Sequence, residues 1–225
     1  MILETILKIL QLAKFFESKN ALNAAARIRA NAFNIDSFNS EQRHVYDAIT
    51  ESVYDTGYES SNHARIFFAD GFGGTGKTYL FSALLNAARS TQSGYALSVA
   101  SSETAALLLD GGRTTAHSMF KISLFDTSTT MCNIKPNSDL ADLIIRQTKL
   151  IIWAESLIIS WSIFEAFDRT FKDIFGKTNA GLKTVPFGGR LMVFGGDFRQ
   201  VLPVIPRGIQ CINRSFLWLY VKVKN

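Results

Sequence analysis

The chain has 225 residues, 47% of them hydrophobic and 19% charged, which is ample for one large domain or two small ones and excludes global disorder. Its net charge of +5, with no long basic run, permits a polyanionic partner without demanding one. The two cysteines, Cys132 and Cys211, and the histidines His44, His63 and His117 have no metal-ligand or redox spacing, and a reducing compartment fits.

Residues 2–16 carry Ile2, Leu3, Ile6, Leu7, Ile9, Leu10, Ala13 and Phe16, a broad helical stripe. Glu4, Lys8 and Lys14 interrupt it, so it reads as a docking helix rather than a signal peptide or membrane span. Ser40 reads as the cap of a helix carrying Val45, Ala48 and Ile49, and residues 54–62 as a polar loop. Residues 65–70 (RIFFAD) form a short apolar run typical of a buried strand. Over 77–88, Leu80, Phe81, Leu84, Leu85 and Ala88 recur at helical spacing. A second strand is expected at 95–100, then a short helix at 103–109 closed by Gly111 and Gly112. A loop over 127–138 leads to a helix at 139–147, a strand at 149–153 and an amphipathic helix at 161–175 ended by Gly176. A loop at 179–189 and a fourth strand at 190–194 complete the pattern. Apolar strands alternating with helices predict an α/β fold with a mostly parallel sheet covered on both faces.

The most informative run joins the first strand to its helix. Gly71, Gly76, Lys77 and Thr78 match the phosphate-binding pattern G-x-x-x-x-G-K-[ST]. The glycines let backbone N–H groups turn toward phosphate oxygens where a Cβ would clash. Lys77 can reach the β- and γ-phosphates, the Thr78 hydroxyl can ligate Mg²⁺, and the following helix points its positive end at the anion. Two later strand ends carry acids: Trp153-Ala154-Glu155, and Gly196-Asp197-Phe198-Arg199-Gln200. Both reach the sheet edge where ligands of such folds bind. Trp153 and Trp161 sit among apolar neighbours and read as packing residues rather than stacking platforms.

In order, these strings resemble the motifs of the Pif-one (petite integration frequency) family of DNA helicases, a RecD-like branch of helicase superfamily 1. Plant and transposon-associated members are the most similar, and the likeness runs over residues 38–222. Phe38-Asn-Ser-Glu-Gln42 resembles the adenine-reading motif, which implies that Gln42 contacts the base. Gly71, Gly73, Gly74, Thr75, Gly76, Lys77 and Thr78 would bind ATP, with Thr78 also on Mg²⁺. The likeness implies that Lys77, Glu155 as catalytic base and Gln200 as γ-phosphate sensor carry the chemistry. Residues 100–106 and 112–118 resemble segments lining the single-stranded DNA path, with Thr104, Arg113 and His117 as contacts. The resemblance further implies a RecA-like P-loop domain over 38–225 after a helical extension at 1–37. It implies ATP-driven movement on single-stranded and forked DNA, roles in repair, recombination and telomere maintenance, and a nuclear or mitochondrial location.

Two departures qualify that expectation. The family has Asp-Glu where this chain has Ala154-Glu155, and an alanine methyl cannot orient Mg²⁺. Hydrolysis is expected to be at least about a hundredfold slower than an Asp version would give. The chain also ends soon after the third motif, so a second motor domain is expected to be missing. A nucleotide- or DNA-binding fragment without turnover is therefore the competing reading. A small-molecule kinase is disfavoured by the Gly-Asp-Phe-x-Gln string.

Overall fold

The computed structural model describes residues 35–55, 65–90, 95–109, 114–122, 130–136, 138, 141–142 and 147–200. The stripe at 2–16, Gly111, Gly112, Arg113, Cys211 and most of the expected helix at 139–147 lie outside the described residues. In chain order come α1 (Ser40–Tyr54), β1 (Ile66–Asp70), α2 (Lys77–Ser90), β2 (Tyr95–Ala100), α3 (Glu103–Leu108) and α4 (Ala116–Phe120). β3 (Thr148–Ala154), α5 (Trp161–Gly176) and β4 (Leu191–Gly196) follow.

The four strands pair in parallel in the order β1-β4-β3-β2. Helices cover both faces, as the alternation predicts. Period-2 alternation divides the side chains cleanly. Leu150, Ile152, Leu191 and Val193 face α1 and α2, packing with Ile49, Val53, Leu80, Phe81, Leu84 and Leu85. Ile151, Trp153, Met192 and Phe194 face α5, packing with Phe164, Phe167, Phe171 and Phe175. Trp153 is fully buried and stacks on Phe164 at 5.3 Å, which bears out its reading as a packing residue.

Three local expectations are corrected. The cap of α1 is Asn39, not Ser40: Asn39 Oδ1 accepts from Gln42 N at 2.8 Å and Gln42 Oε1 accepts from Asn39 N at 3.1 Å. This reciprocal box satisfies two otherwise orphaned donors, which a serine one residue later cannot do in the same register. The segment 179–189 is not wholly irregular: Ala180–Lys183 forms a 3-10 turn, and Pro186–Gly189 forms a kinked turn with Phe187 and Gly188 left-handed at φ 50° and 58°. Phe187 N donates to Asp168 Oδ1 at 2.6 Å, which seats the buried Phe187 ring in the aromatic layer. Finally, β4 runs two residues beyond Phe194. Gly195 permits this, because a Cβ there would run into the Phe81 ring of α2.

Candidate nucleotide site at the carboxyl edge of the sheet

The loop after β1 wraps back on the sheet. Gly71 N donates to Gly196 O at 3.2 Å, extending the β1–β4 pairing one residue into the loop. Thr75 N and Oγ1 both donate to Phe72 O, at 3.3 and 2.8 Å. Gly74 and Gly76 have φ of 82° and 84°, a region that disfavours any Cβ. A Cβ on Gly74 would project into open space, so the loop's outer surface is a free backbone cradle. α2 begins at Lys77, with Leu80 N on Gly76 O at 3.0 Å. The Lys77 ammonium lies over the loop, donating to Gly71 O and, at 2.8 Å, to Phe72 O. Thr78 is exposed in the first turn of α2.

Gln42 reaches the same loop from α1. Its Nε2 donates to Thr75 O at 2.9 Å while its Oε1 closes the Asn39 box. Both ends of the carboxamide are thus engaged within the protein, and the side chain ties the start of α1 to the cradle. A Cβ on Gly76 would lie 2.6 Å from Gln42 Nε2, so glycine there admits the glutamine as well as the turn.

The turn after β4 is anchored on the cradle from the other side. Phe198 N donates to Asp70 Oδ1 at 3.2 Å, and Phe198 packs on Phe68 with centroids 4.8 Å apart. The Arg199 guanidinium stands 3.9 Å from the Phe72 ring centre, a cation–π contact. Gln200 Nε2 lies 3.7 Å from where a Gly73 Cβ would be. Asp197 is only 8% exposed. Its Oδ1 accepts from Arg199 N at 3.0 Å, whereas its buried Oδ2 has no hydrogen-bond partner.

Between β3 and α5 stands Glu155, an exposed non-glycine residue at φ 52°, ψ 37°. Such a left-handed position costs about 1–3 kcal/mol and persists only where the surroundings impose it. Here they do. Its carbonyl accepts from Ser101 Oγ and its Oε2 from Ser102 Oγ, each at 2.7 Å. Trp153 Nε1 holds Ser101 Oγ at 3.1 Å. Ser102 also caps α3, accepting from Ala105 N at 3.2 Å. The sequence pattern drew attention to Glu155 but not to this serine pair, although two serines between a strand and a helix are a capping signal.

Along the carboxyl edge the structure therefore brings together Gln42, Gly71–Thr78, Asp197 and Gln200 at the β1–β4 end. Glu155 stands next, at the end of β3. Thr104, exposed on α3, and His117, half-buried on α4, follow β2 at the far end. Thr115, the cap of α4, bridges to Ala100, which holds α4 against the β2 terminus.

Residues 37–225 match the profile of the PIF1-like helicase family. No curated protein matches the chain. Among solved structures, it resembles Bacteroides sp Pif1 in complex with ADP-AlF4, with TM-score 0.55 and 22% identity over 75% of this chain and 34% of that one. Bacteroides Pif1 bound to ssDNA matches with TM-score 0.55, 22% identity and the same 75% and 34% coverage. Pif1 helicase from Candida albicans matches with TM-score 0.52 and 25% identity, covering 75% and 34%. The chain spans about a third of the length of these structures, 34% in each case. The shared fold is the parallel sheet with its covering helices.

Proposed function

We propose that this chain, which belongs to the PIF1-like helicase family, carries the ATP-binding motor unit of a DNA helicase acting on single-stranded and forked DNA. One observation carries the reading. The phosphate cradle is clasped from two sides by side chains suited to sense a nucleotide: Gln42 on Thr75 from α1, and the 197–200 turn on Phe72 and Gly73. In this reading the open N–H groups around Gly74 and the N-terminus of α2 bind the phosphates. Lys77 exchanges its loop carbonyls for β- and γ-oxygens, and Gln42 frees its carboxamide for the adenine edge. Glu155, preset by Ser101 and Ser102, orients the attacking water and accepts its proton. Gln200 reports the γ-phosphate to the turn that carries it.

Mg²⁺ asks for oxygen ligands and usually takes one or two carboxylates together with substrate phosphates. Among the described residues no three acids or histidines cluster. The edge nonetheless offers the Thr78 hydroxyl and the unpartnered Asp197 oxygen, a donor set that fits such an ion. When bound, Mg²⁺ would neutralise charge developing on the transferred phosphoryl group. Ala154 supplies no carboxylate, which favours the second reading, a unit that binds nucleotide but turns it over slowly.

We assign the P-loop unit to 38–225 and a helical extension to 1–37. The RecD-like, plant or transposon-associated branch is the finer family reading. Repair, recombination and telomere maintenance in the nucleus or mitochondrion are the roles it would serve. No helix among the described residues is long and apolar enough to cross a membrane.

The test is binding of a fluorescent ATP analogue, followed by DNA-stimulated phosphate release. Lys77→Ala is expected to weaken binding by about ten- to a hundredfold, the loss of one or two charge-assisted hydrogen bonds. Ala154→Asp is expected to raise turnover about a hundredfold. Equal analogue binding by the parent chain and Lys77→Ala would remove the nucleotide-site reading.

A further inference from the structure

The departure at 154 leaves a question that the geometry answers. In the β3–β4 register Trp153 pairs with Phe194, so position 154 faces position 195. Ala154 packs on the α2 side of the sheet, with Leu150 and Ile152. On β4 the same side carries Leu191, Val193 and Gly195, the last facing the Phe81 ring of α2. Asp197 follows directly on the end of β4, two residues beyond the residue opposite Ala154. β4 lies between β1 and β3. Asp197 therefore stands between the cradle with its Lys77 and Thr78 and the strand end that lacks its acid.

Its chemistry matches its place. A buried carboxylate oxygen without a partner is costly and calls for an explanation, of which a bound ion is one. The other oxygen is taken by Arg199 N, which fixes the carboxylate's orientation. Among the described residues, the cationic groups beside the cradle are Lys77 and the N-terminus of α2, with Arg199 drawn aside onto Phe72.

We propose that Asp197 supplies the carboxylate toward Mg²⁺ that Ala154 cannot, so that this chain retains metal-linked nucleotide binding from a displaced position. The metal is held in this arrangement, but not from the strand on which Glu155 stands, so binding and turnover separate. The proposal rests on the nucleotide-site reading above.

Calorimetric titration of the full chain with a non-hydrolysable ATP analogue, in Mg²⁺ and in chelator, tests it. The parent chain should bind about tenfold or more tightly with Mg²⁺. Asp197→Asn should reduce that enhancement, taken as the ratio of its own affinities in Mg²⁺ and in chelator, to about threefold or less. In the Asp197→Asn background, Ala154→Asp should restore the enhancement. With Mn²⁺ in place of Mg²⁺, the paramagnetic resonance signal of the immobilised ion should disappear in Asp197→Asn and return in the double variant. Full Mg²⁺ enhancement in Asp197→Asn would overturn the proposal.

A separate arm leaves Asp197 untouched and decides the matter if Asp197→Asn does not fold. Ala154→Asp alone should change the enhancement by less than about threefold, and a gain of about tenfold or more would overturn the proposal. Failure to bind the analogue even in chelator would sink the nucleotide-site reading and the proposal with it. Binding in chelator that Mg²⁺ does not improve would sink the proposal alone.

Discussion

The face of the sheet under α5 is filled with rings, and the face under α1 and α2 with aliphatic and small side chains. On the first, Trp153, Phe120, Phe164, Phe167, Phe171, Phe187 and Phe194 pack together, many edge to face, at centroid distances such as 4.7 Å for Phe120–Phe167 and 5.2 Å for Trp153–Phe167. On the second, Leu80, Phe81, Leu84, Leu85 and Ala88 of α2 pack with Leu150, Ile152, Leu191 and Val193. α2 starts at the carboxyl edge of the sheet, so its first two residues, Lys77 and Thr78, stand beside the strand ends. Gln42, Lys77, Thr78 and Ala154 all belong to this aliphatic side. The aromatic side gives the sheet its rigidity and the aliphatic side aims the chemistry. The two jobs should separate under mutation.

The largest effect is expected on the aromatic side. Trp153→Ala removes a fully buried ring from the centre of that layer and should cost about 3–5 kcal/mol of stability in denaturant unfolding. The Lys77→Ala change on the other side should stay within about 0.5 kcal/mol, since Lys77 contacts only loop carbonyls. Equal losses from the two would collapse the distinction.

The aromatic side should also show an alkaline limit. Burial pushes the Cys132 thiol from 9.0 up to about 11. Between those values the unfolded chain loses the thiol proton while the folded chain keeps it, so stability falls as pH rises. The loss should begin near the unfolded pKa and reach up to about 3 kcal/mol above the folded one. Cys132→Ser, measured across the same range, should flatten that slope.

At the edge between the two sides, Glu155→Gly should act in opposite directions on stability and chemistry. Relief of the left-handed strain should stabilise the fold by about 1 kcal/mol, net of the lost serine contacts. Phosphate release should fall at the same time. A destabilised Glu155→Gly would mean that the serine pair outweighs the backbone strain.

The smallest effect is expected at the start of α1. Asn39→Ala should cost about 1 kcal/mol by opening the capping box. It leaves the Gln42 backbone N–H without its Asn39 Oδ1 acceptor and loosens the turn that holds Gln42 on the cradle, so analogue binding should change while the aromatic layer does not. Fluorescence of the buried Trp153 is the control.

Much of this was legible in the residues. Strands expected from apolar runs at 65–70, 95–100, 149–153 and 190–194 are found at 66–70, 95–100, 148–154 and 191–196, and α2 and α5 follow from helical periodicity. The cradle was legible because its glycines answer a local backbone demand that few other residues meet. The 197–200 turn was expected at the carboxyl edge of the sheet, and it follows the end of β4 there. What escaped reading was relational. Asn39 rather than Ser40 caps α1 because the partner, Gln42, decides the register. Glu155 is left-handed because the serines between β2 and α3 hold it, and the turn at 186–189 forms because Asp168 and the aromatic layer receive Phe187.

By itself, the sequence determined the element types, the phosphate loop and the family, since periodicity and turn chemistry act over a few residues. Only the tertiary structure decided that β4 lies between β1 and β3, and so that Asp197 comes between the cradle and Ala154. Strand order is set by the packing of both faces at once, an interaction between distant residues that no local spacing records.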